Sequence, residues 1–280
     1  MIIDVHCHAF QCAEHIGEPF RSESARAHGG EVDLTTHREH YRNTSPADTR
    51  TIVIGGKARR SGLWVDDTSI RDFVAREPDR LIGYLSVDPT QPGWQDEMRY
   101  GHQELGLRGI KLMPMYAGFD PADPAYDPLF AYAEEHGLPL LVHTGTTFVS
   151  TAVLRWARPV HLDEVAIRHP ELPMVLAHMG HPYEGECLAV IRKHQNVYAD
   201  VSALHYRPFQ LWHSLQLAQD YGVTHKLLFG SDYPFTTVNE SIDGLRAVAR
   251  VPGIPGLPPL DPDKIERIIA QPALELLRLE

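Results

Sequence analysis

A rhythm constrains this chain more than anything else in it. Short runs rich in Val, Ile and Leu recur, each followed by a turn and then by an amphipathic stretch. The runs fall at 2–5, 51–54, 81–87, 109–112, 138–142, 174–176, 197–201 and 226–229, with helical periodicity at 68–76, 94–104, 127–136, 162–169, 184–194, 211–221 and 241–249. Apolar runs bounded by Gly and Pro read as buried parallel strands, and parallel pairing needs long crossovers such as those helices. Eight such units in 280 residues predict an α/β fold of the (β/α)8 TIM-barrel type, forming one domain over residues 1–280. The competing arrangement is an open doubly wound sheet. It wants a glycine-rich phosphate turn after the first strand, and His6-Cys7-His8 stands there instead.

Two stretches break the rhythm. Residues 11–50 are polar, carry His15, His28, His37 and His40 with Gly29-Gly30, and read as an insertion after the first strand. Loops longer than about 12–15 residues in a compact domain are usually functional or disordered, so a lid, part of a substrate pocket or a mobile insertion is expected there. The Pro- and Gly-rich stretch 251–259 cannot hold a helix and leads into a closing helix from about Asp261.

Composition narrows the partners. A formal net charge of −11 repels nucleic acid and anionic membranes unless a basic stripe compensates, and Arg59-Arg60 and Arg192-Lys193 are isolated pairs. No run approaches the ~18 consecutive apolar residues of a membrane helix, and Met1-Ile2-Ile3-Asp4 lacks the basic start of a secretory signal. The expected compartment is the cytoplasm and the expected partner a small molecule, with no nucleic acid and no membrane; a homodimer is compatible with the sequence. Three cysteines, Cys7, Cys12 and Cys187, without CxxC spacing suggest neither a disulfide framework nor a thiolate zinc site, and Cys7 reads as a buried structural thiol.

The 17 histidines are the unusual count. His6 and His8, two apart at the end of the first strand, point to one face while Cys7 points to the other. Two converging imidazoles suit a borderline metal ion such as zinc. Polar residues recur at the same kind of position elsewhere: His143 follows Leu138 to Val142, His178 follows Met174 to Ala177, and Asp232 follows Leu227 to Ser231. Glycine or proline then turns the chain away. In a barrel all these strand ends meet on one rim, where catalytic residues of such folds lie.

Five segments together, Ile3-Asp4-Val5-His6-Cys7-His8, Arg108-Gly109-Ile110-Lys111-Leu112, Leu141-Val142-His143-Thr144-Gly145, Ala177-His178-Met179-Gly180 and Leu228-Phe229-Gly230-Ser231-Asp232-Tyr233-Pro234, span almost the whole chain. In their order and spacing the sequence resembles the amidohydrolase superfamily, and more closely the amidohydrolase-related branch that includes aminocarboxymuconate semialdehyde decarboxylase. The resemblance implies a distorted (β/α)8 barrel holding one divalent metal ion, zinc or else manganese, on His6, His8, His143 and Asp232, with His178 as the catalytic histidine. Two departures stand out: Ala270-Gln271-Pro272-Ala273 lacks the asparagine common before that alanine, and His181-Pro182-Tyr183 replaces glycine-proline-tryptophan. The first touches packing of the last helix, the second the substrate pocket.

A metal-bound water whose pKa falls from 15.7 toward ~7 supplies hydroxide at neutral pH. On this reading Asp232 hydrogen-bonds the water, takes its proton and delivers it to the leaving group, while His178 either steadies the hydroxide or polarises a carbonyl. Lys111 is expected to be an ordinary ammonium in preference to a carboxylated bridge between two metals. Hydrolysis of an ester, lactone or amide of a small organic acid leads. Non-oxidative decarboxylation of an unsaturated or aromatic carboxylic acid is second, and a catalytically silent metal-binding barrel comes third. Lys111, Arg155, Arg158, His181 and Arg207 are the candidates for contacting substrate, arginine being the better fork for a carboxylate.

Overall fold

Every apolar run is a strand in the computed structural model, which describes all 280 residues. The strands are β1 (Ile2–His8), β2 (Thr49–Ile54), β3 (Leu81–Gly83, resumed past Tyr84 as Leu85–Val87), β4 (Ile110–Leu112), β5 (Leu140–Val142), β6 (Met174–Leu176), β7 (Val197–Asp200) and β8 (Leu227–Leu228). All neighbours pair in parallel, β1 with β2 and β2 with the first half of β3, then the second half of β3 through β4, β5, β6 and β7 to β8. No regular ladder joins β8 to β1. Single backbone bonds close the ring instead, from Val5 N–H to the Phe229 carbonyl (3.0 Å), Asp232 N–H to that of His6 (2.8 Å) and His8 N–H to that of Tyr233 (2.8 Å). The fold is a (β/α)8 TIM barrel, distorted where β3 breaks and where β8 meets β1.

Helices fill the crossovers. Two begin three residues before the apolar periodicity does, because local chemistry starts them: Pro208–Asp220 opens on a proline, and Val238–Ala249 carries a capping box in which Thr237 and Glu240 each bond the other's backbone. Between β1 and β2 lie α1 (Cys12–His15), α2 (Phe20–His28) and α3 (Arg38–Asn43). The stretch 251–259 is irregular, and Asp261 caps the closing helix Pro262–Ile269. A hairpin of two-residue strands, Lys57–Ala58 and Leu63–Trp64, is too short to leave a sequence signal. No helix is long and apolar enough to cross a membrane.

Alternation sorts the strand residues into two cores. Ile52 and Ile54, Leu141, Val175, Tyr198 and Leu228 share the barrel interior, joined by Leu274, Leu277 and Leu279 from the end of the chain, while Val53, Leu140, Met174, Ala199 and Leu227 face the helices. In β1 the interior set begins as Ile3 and Val5, so strict alternation would next send Cys7 inward. A bulge prevents this: between Asp4 and Cys7 the strand advances three residues against two of β2, pairing Asp4 with Thr51 and Cys7 with Val53. One extra residue inverts the facing of every side chain beyond it in the strand. Cys7 therefore joins the outer core, and His6 and His8 turn to the interior.

The break in β3 has its own steric logic. Tyr84 is fully buried, and a Cβ built on Gly109 of the neighbouring segment would lie 2.4 Å from its ring. Gly109→Ala must push the ring aside, which should cost about 1–3 kcal/mol and lower the calorimetric Tm by several degrees; an unchanged Tm would show that the ring has room to move.

Candidate functional site

The carboxyl ends of five strands and the loops after them converge on one point. β1 delivers His6 and His8, β4 delivers Lys111, and His143, His178 and Asp232 follow β5, β6 and β8. His178 and Asp232 both adopt left-handed backbone angles, φ 58° and 63°. Such angles are uncommon for residues with a side chain and are held only where surrounding bonds impose them.

Partners fix which ring nitrogen of each histidine is available. His6 Nδ1 lies 2.9 Å from Asp200 Oδ2, and His8 Nδ1 lies 3.1 Å from the Gly55 carbonyl. Both partners only accept, so each Nδ1 carries the hydrogen and each Nε2 is left with a lone pair. These two Nε2 atoms each stand 3.3 Å from the same atom, Asp232 Oδ1. Two lone pairs aimed at an anionic oxygen repel unless a cation lies among them. Ligands about 2.1 Å from a metal in tetrahedral geometry are separated by about 3.4 Å. The nitrogen and oxygen donors therefore fit a divalent ion in both chemistry and spacing.

The rest of the expected ligand set is arranged less simply. His6, His178 and Asp232 each place one donor atom within 4.8 Å of the other two, so His178 sits as close to the centre as an expected ligand does. His143 packs edge-on against His178 and Tyr116, with ring centroids 5.0 and 4.9 Å away, and makes no ion-pair contact with Asp232. Lys111 is buried with Nζ 3.4 Å from His6 Nε2. Burial pushes its ammonium down to about 8, with Asp232 and Asp200 pulling the other way. Burial likewise holds His6, His8, His143 and His178 below the ordinary imidazole range, which keeps them neutral and able to donate lone pairs at pH 7. Asp232 lies below the usual carboxylate range despite its burial, and so stays ionised.

Above this point opens a cavity of about 680 Å³, a volume suited to a small organic molecule. Phe10, Phe20, Tyr116, Phe148 and Phe235 give it an aromatic wall, part of it supplied by α2. Of the three arginines named from sequence, Arg207 alone lines the cavity. Arg158 is engaged with Glu186 at the surface, and Arg155 lies over the Trp156 ring, so neither reaches the wall. His181 lines the cavity with both ring nitrogens buried and without a partner.

Sequence reasoning misses three polar residues that matter here. Asp200 and Ser202 stand behind His6 and His178. Asp200 ends the observed strand β7, but the apolar run continues to Val201, so the sequence offers little signal for it. Asp4, fully buried on the outer side of β1, accepts from Ser231 Oγ (2.7 Å), Ser231 N (2.9 Å), Tyr41 Oη (2.8 Å) and His6 N (3.1 Å). It ties the strand carrying two histidines to the turn carrying Asp232. Burial outweighs these donors and pushes its carboxyl up to about 6.

The family model described as Amidohydrolase matches residues 3–279 of this chain. A search of curated proteins returned no match. Among solved structures, an uncharacterized TIM-barrel protein from Bordetella bronchiseptica is similar at 20% identity, covering 99% of this chain and 98% of its own, with a TM-score of 0.78. A probable 2-pyrone-4,6-dicarboxylic acid hydrolase from Acinetobacter baumannii, with citric acid bound, is similar at 18% identity, 99% of both chains and 0.66. A dihydroxybenzoic acid decarboxylase from Polaromonas sp. JS666, with manganese and 2-nitroresorcinol, is similar at 14% identity, 99% and 97% coverage and 0.62. At these identities the likenesses speak for the fold alone.

Asp4→Ala would leave four donors facing an apolar methyl, each orphan costing about 1–3 kcal/mol less whatever relaxation recovers. We expect a loss of at least about 3 kcal/mol in urea unfolding and lowered metal content per chain. A variant with the wild-type midpoint and metal content would show that Asp4 does not hold the two strands together.

Proposed function

The chain belongs to the amidohydrolase family, a family of enzymes, and from that membership we propose that it is a metal-dependent hydrolase acting on an ester, lactone or amide of a small organic acid. The observation that carries this reading is the convergence of two unprotonated imidazole nitrogens on one carboxylate oxygen at the floor of the cavity. His6, His8, His143 and Asp232 would hold the ion, zinc in the first place and manganese in the second, since nitrogen and oxygen donors suit both. When bound, such an ion polarises a carbonyl and lowers the pKa of a coordinated water from 15.7 toward about 7.

The protein's own groups do the rest. Asp232, ionised at neutral pH, accepts the proton of the attacking water through its carboxylate and returns it to the leaving oxygen or nitrogen. His178, within 4.8 Å of Asp232, faces the same space and contributes acid-base assistance of about 10²–10⁴-fold. The Lys111 ammonium balances one of the two carboxylates, Asp200 and Asp232, so that the site without an ion carries net negative charge. Arg207 and His181 line the cavity and would fix the acid portion of the substrate, the guanidinium pairing with its carboxylate. The aromatic wall would keep bulk solvent, though not the attacking water, from the reacting carbonyl.

That wall also supports a second reading, decarboxylation of an unsaturated or aromatic carboxylic acid, whose flat body would stack on Phe10, Tyr116 or Phe235.

Purified protein should be stripped with a chelator, reloaded with zinc or manganese, and offered lactones, esters and aromatic carboxylic acids. The expected outcome is ester or lactone hydrolysis that chelation abolishes and the metal restores. Carbon dioxide release from an aromatic acid would move the assignment to a carboxy-lyase, and no metal-dependent turnover on either class would favour a silent barrel. His178→Asn should keep its metal and lose about 10²–10⁴-fold in kcat, whereas His143→Asn should lose metal; the reverse pattern would exchange their roles.

A further inference from the structure

Ser202 is buried directly behind the reacting histidine, with Oγ 2.5 Å from Asp200 Oδ1, 2.8 Å from His178 Nδ1 and 3.2 Å from His6 Nδ1. We propose that Ser202 is a positioning residue which, together with Asp200, locks His178 in the tautomer that presents an unprotonated Nε2 to the cavity. The inference rests on the functional reading above for the importance of His178, but its geometry stands without it.

A serine hydroxyl has one hydrogen to give. The Asp200 carboxylate can only accept, so the hydrogen goes to Oδ1 at the shortest of the three contacts. Toward His178, Oγ can then only accept, and the ring must supply the hydrogen from Nδ1. The Ser202 carbonyl, 3.3 Å from the same Nδ1, asks for it too. Nε2 is left bare. The other Asp200 oxygen imposes the same form on His6, 2.9 Å away. One carboxylate thus dictates the tautomers of two imidazoles on different strands, the nearer directly and the farther through a hydroxyl.

The backbone reinforces this arrangement. Asp200 Oδ1 also accepts from the amide N–H groups of His178 (2.9 Å) and Ser202 (3.0 Å), which pins the left-handed backbone that swings the imidazole toward Asp232. Orientation and tautomer of His178 therefore share one origin. The consequence decides between the two roles that the sequence leaves open. With Nε2 unprotonated, His178 enters the reaction as an acceptor that orients the attacking water. Polarising a substrate carbonyl would require a hydrogen at Nε2, which this network does not supply.

The test reads the tautomer directly. Long-range proton–nitrogen correlation spectra of zinc-loaded, ¹⁵N-labelled protein, with His178 identified by its loss in His178→Asn, should show a protonated Nδ1 and an unprotonated Nε2. In Ser202→Ala both forms should appear, zinc content should hold, and kcat on the ester or lactone found in the panel should fall on the order of tenfold with KM little changed. Ser202→Thr, which keeps the hydroxyl, should restore both. A hydrogen on Nε2 in the wild-type spectrum overturns the proposal even if neither variant folds, and so does Ser202→Ala with the wild-type tautomer and kcat. Should His178→Asn itself turn over at the wild-type rate, the functional reading fails, while the tautomer assignment is judged on its own spectrum.

Discussion

One extra residue in the first strand conditions everything else in this molecule. The interior of an eight-stranded barrel is filled by alternate side chains, and β1 obeys that rule with Ile3 and Val5 before the bulge shifts its phase. Without the shift the rim would receive a cysteine, and the two imidazoles would face the helices. Asp4 sits within the bulged stretch, and its carboxylate accepts the His6 amide as well as the Ser231 hydroxyl. The local irregularity is thus bonded into the closure between the first and last strands, and it costs no stranded donor.

Behind the site lies a second electrostatic layer. Asp200 neither lines the cavity nor bonds Asp232, yet it holds His6 by the ring and His178 by the main chain. Burying so many polar groups is tolerable only because nearly all are paired. On the cavity wall His181 is the exception. Its two nitrogens have no protein partner, and they lie on the cavity wall where a substrate or water can supply one.

Much of the architecture is legible in the chain because buried parallel strands are nearly continuous apolar runs, and all eight runs lie within a few residues of the observed strand bounds. The departures have physical causes. β1 runs on to His8 because a barrel rim accepts polar side chains that end an apolar run, and the bulge leaves no sequence signal because it is defined by the partner strand. Asp200 is hidden inside a stretch that reads through to Val201, and Asp4 inside an otherwise apolar strand. His143, His178 and Asp232 are readable as strand-end residues, but whether a ring faces the centre or a neighbouring ring depends on backbone angles that spacing does not encode. The arginines show the same limit: Arg158 and Arg207 both follow strands, and only the position of Glu186 decides that one is spoken for and the other lines the wall.

The closure of β8 onto β1 also bears on how the molecule assembles. His6 and Asp232 are separated by most of the chain, and they meet through isolated bonds where other neighbours share a ladder. Contacts so distant in sequence carry a large entropic cost and form late. During synthesis the site cannot exist until the final strand has emerged. An ion captured there would then fasten the least zippered seam of the ring, and its departure would be felt first as local opening along that seam.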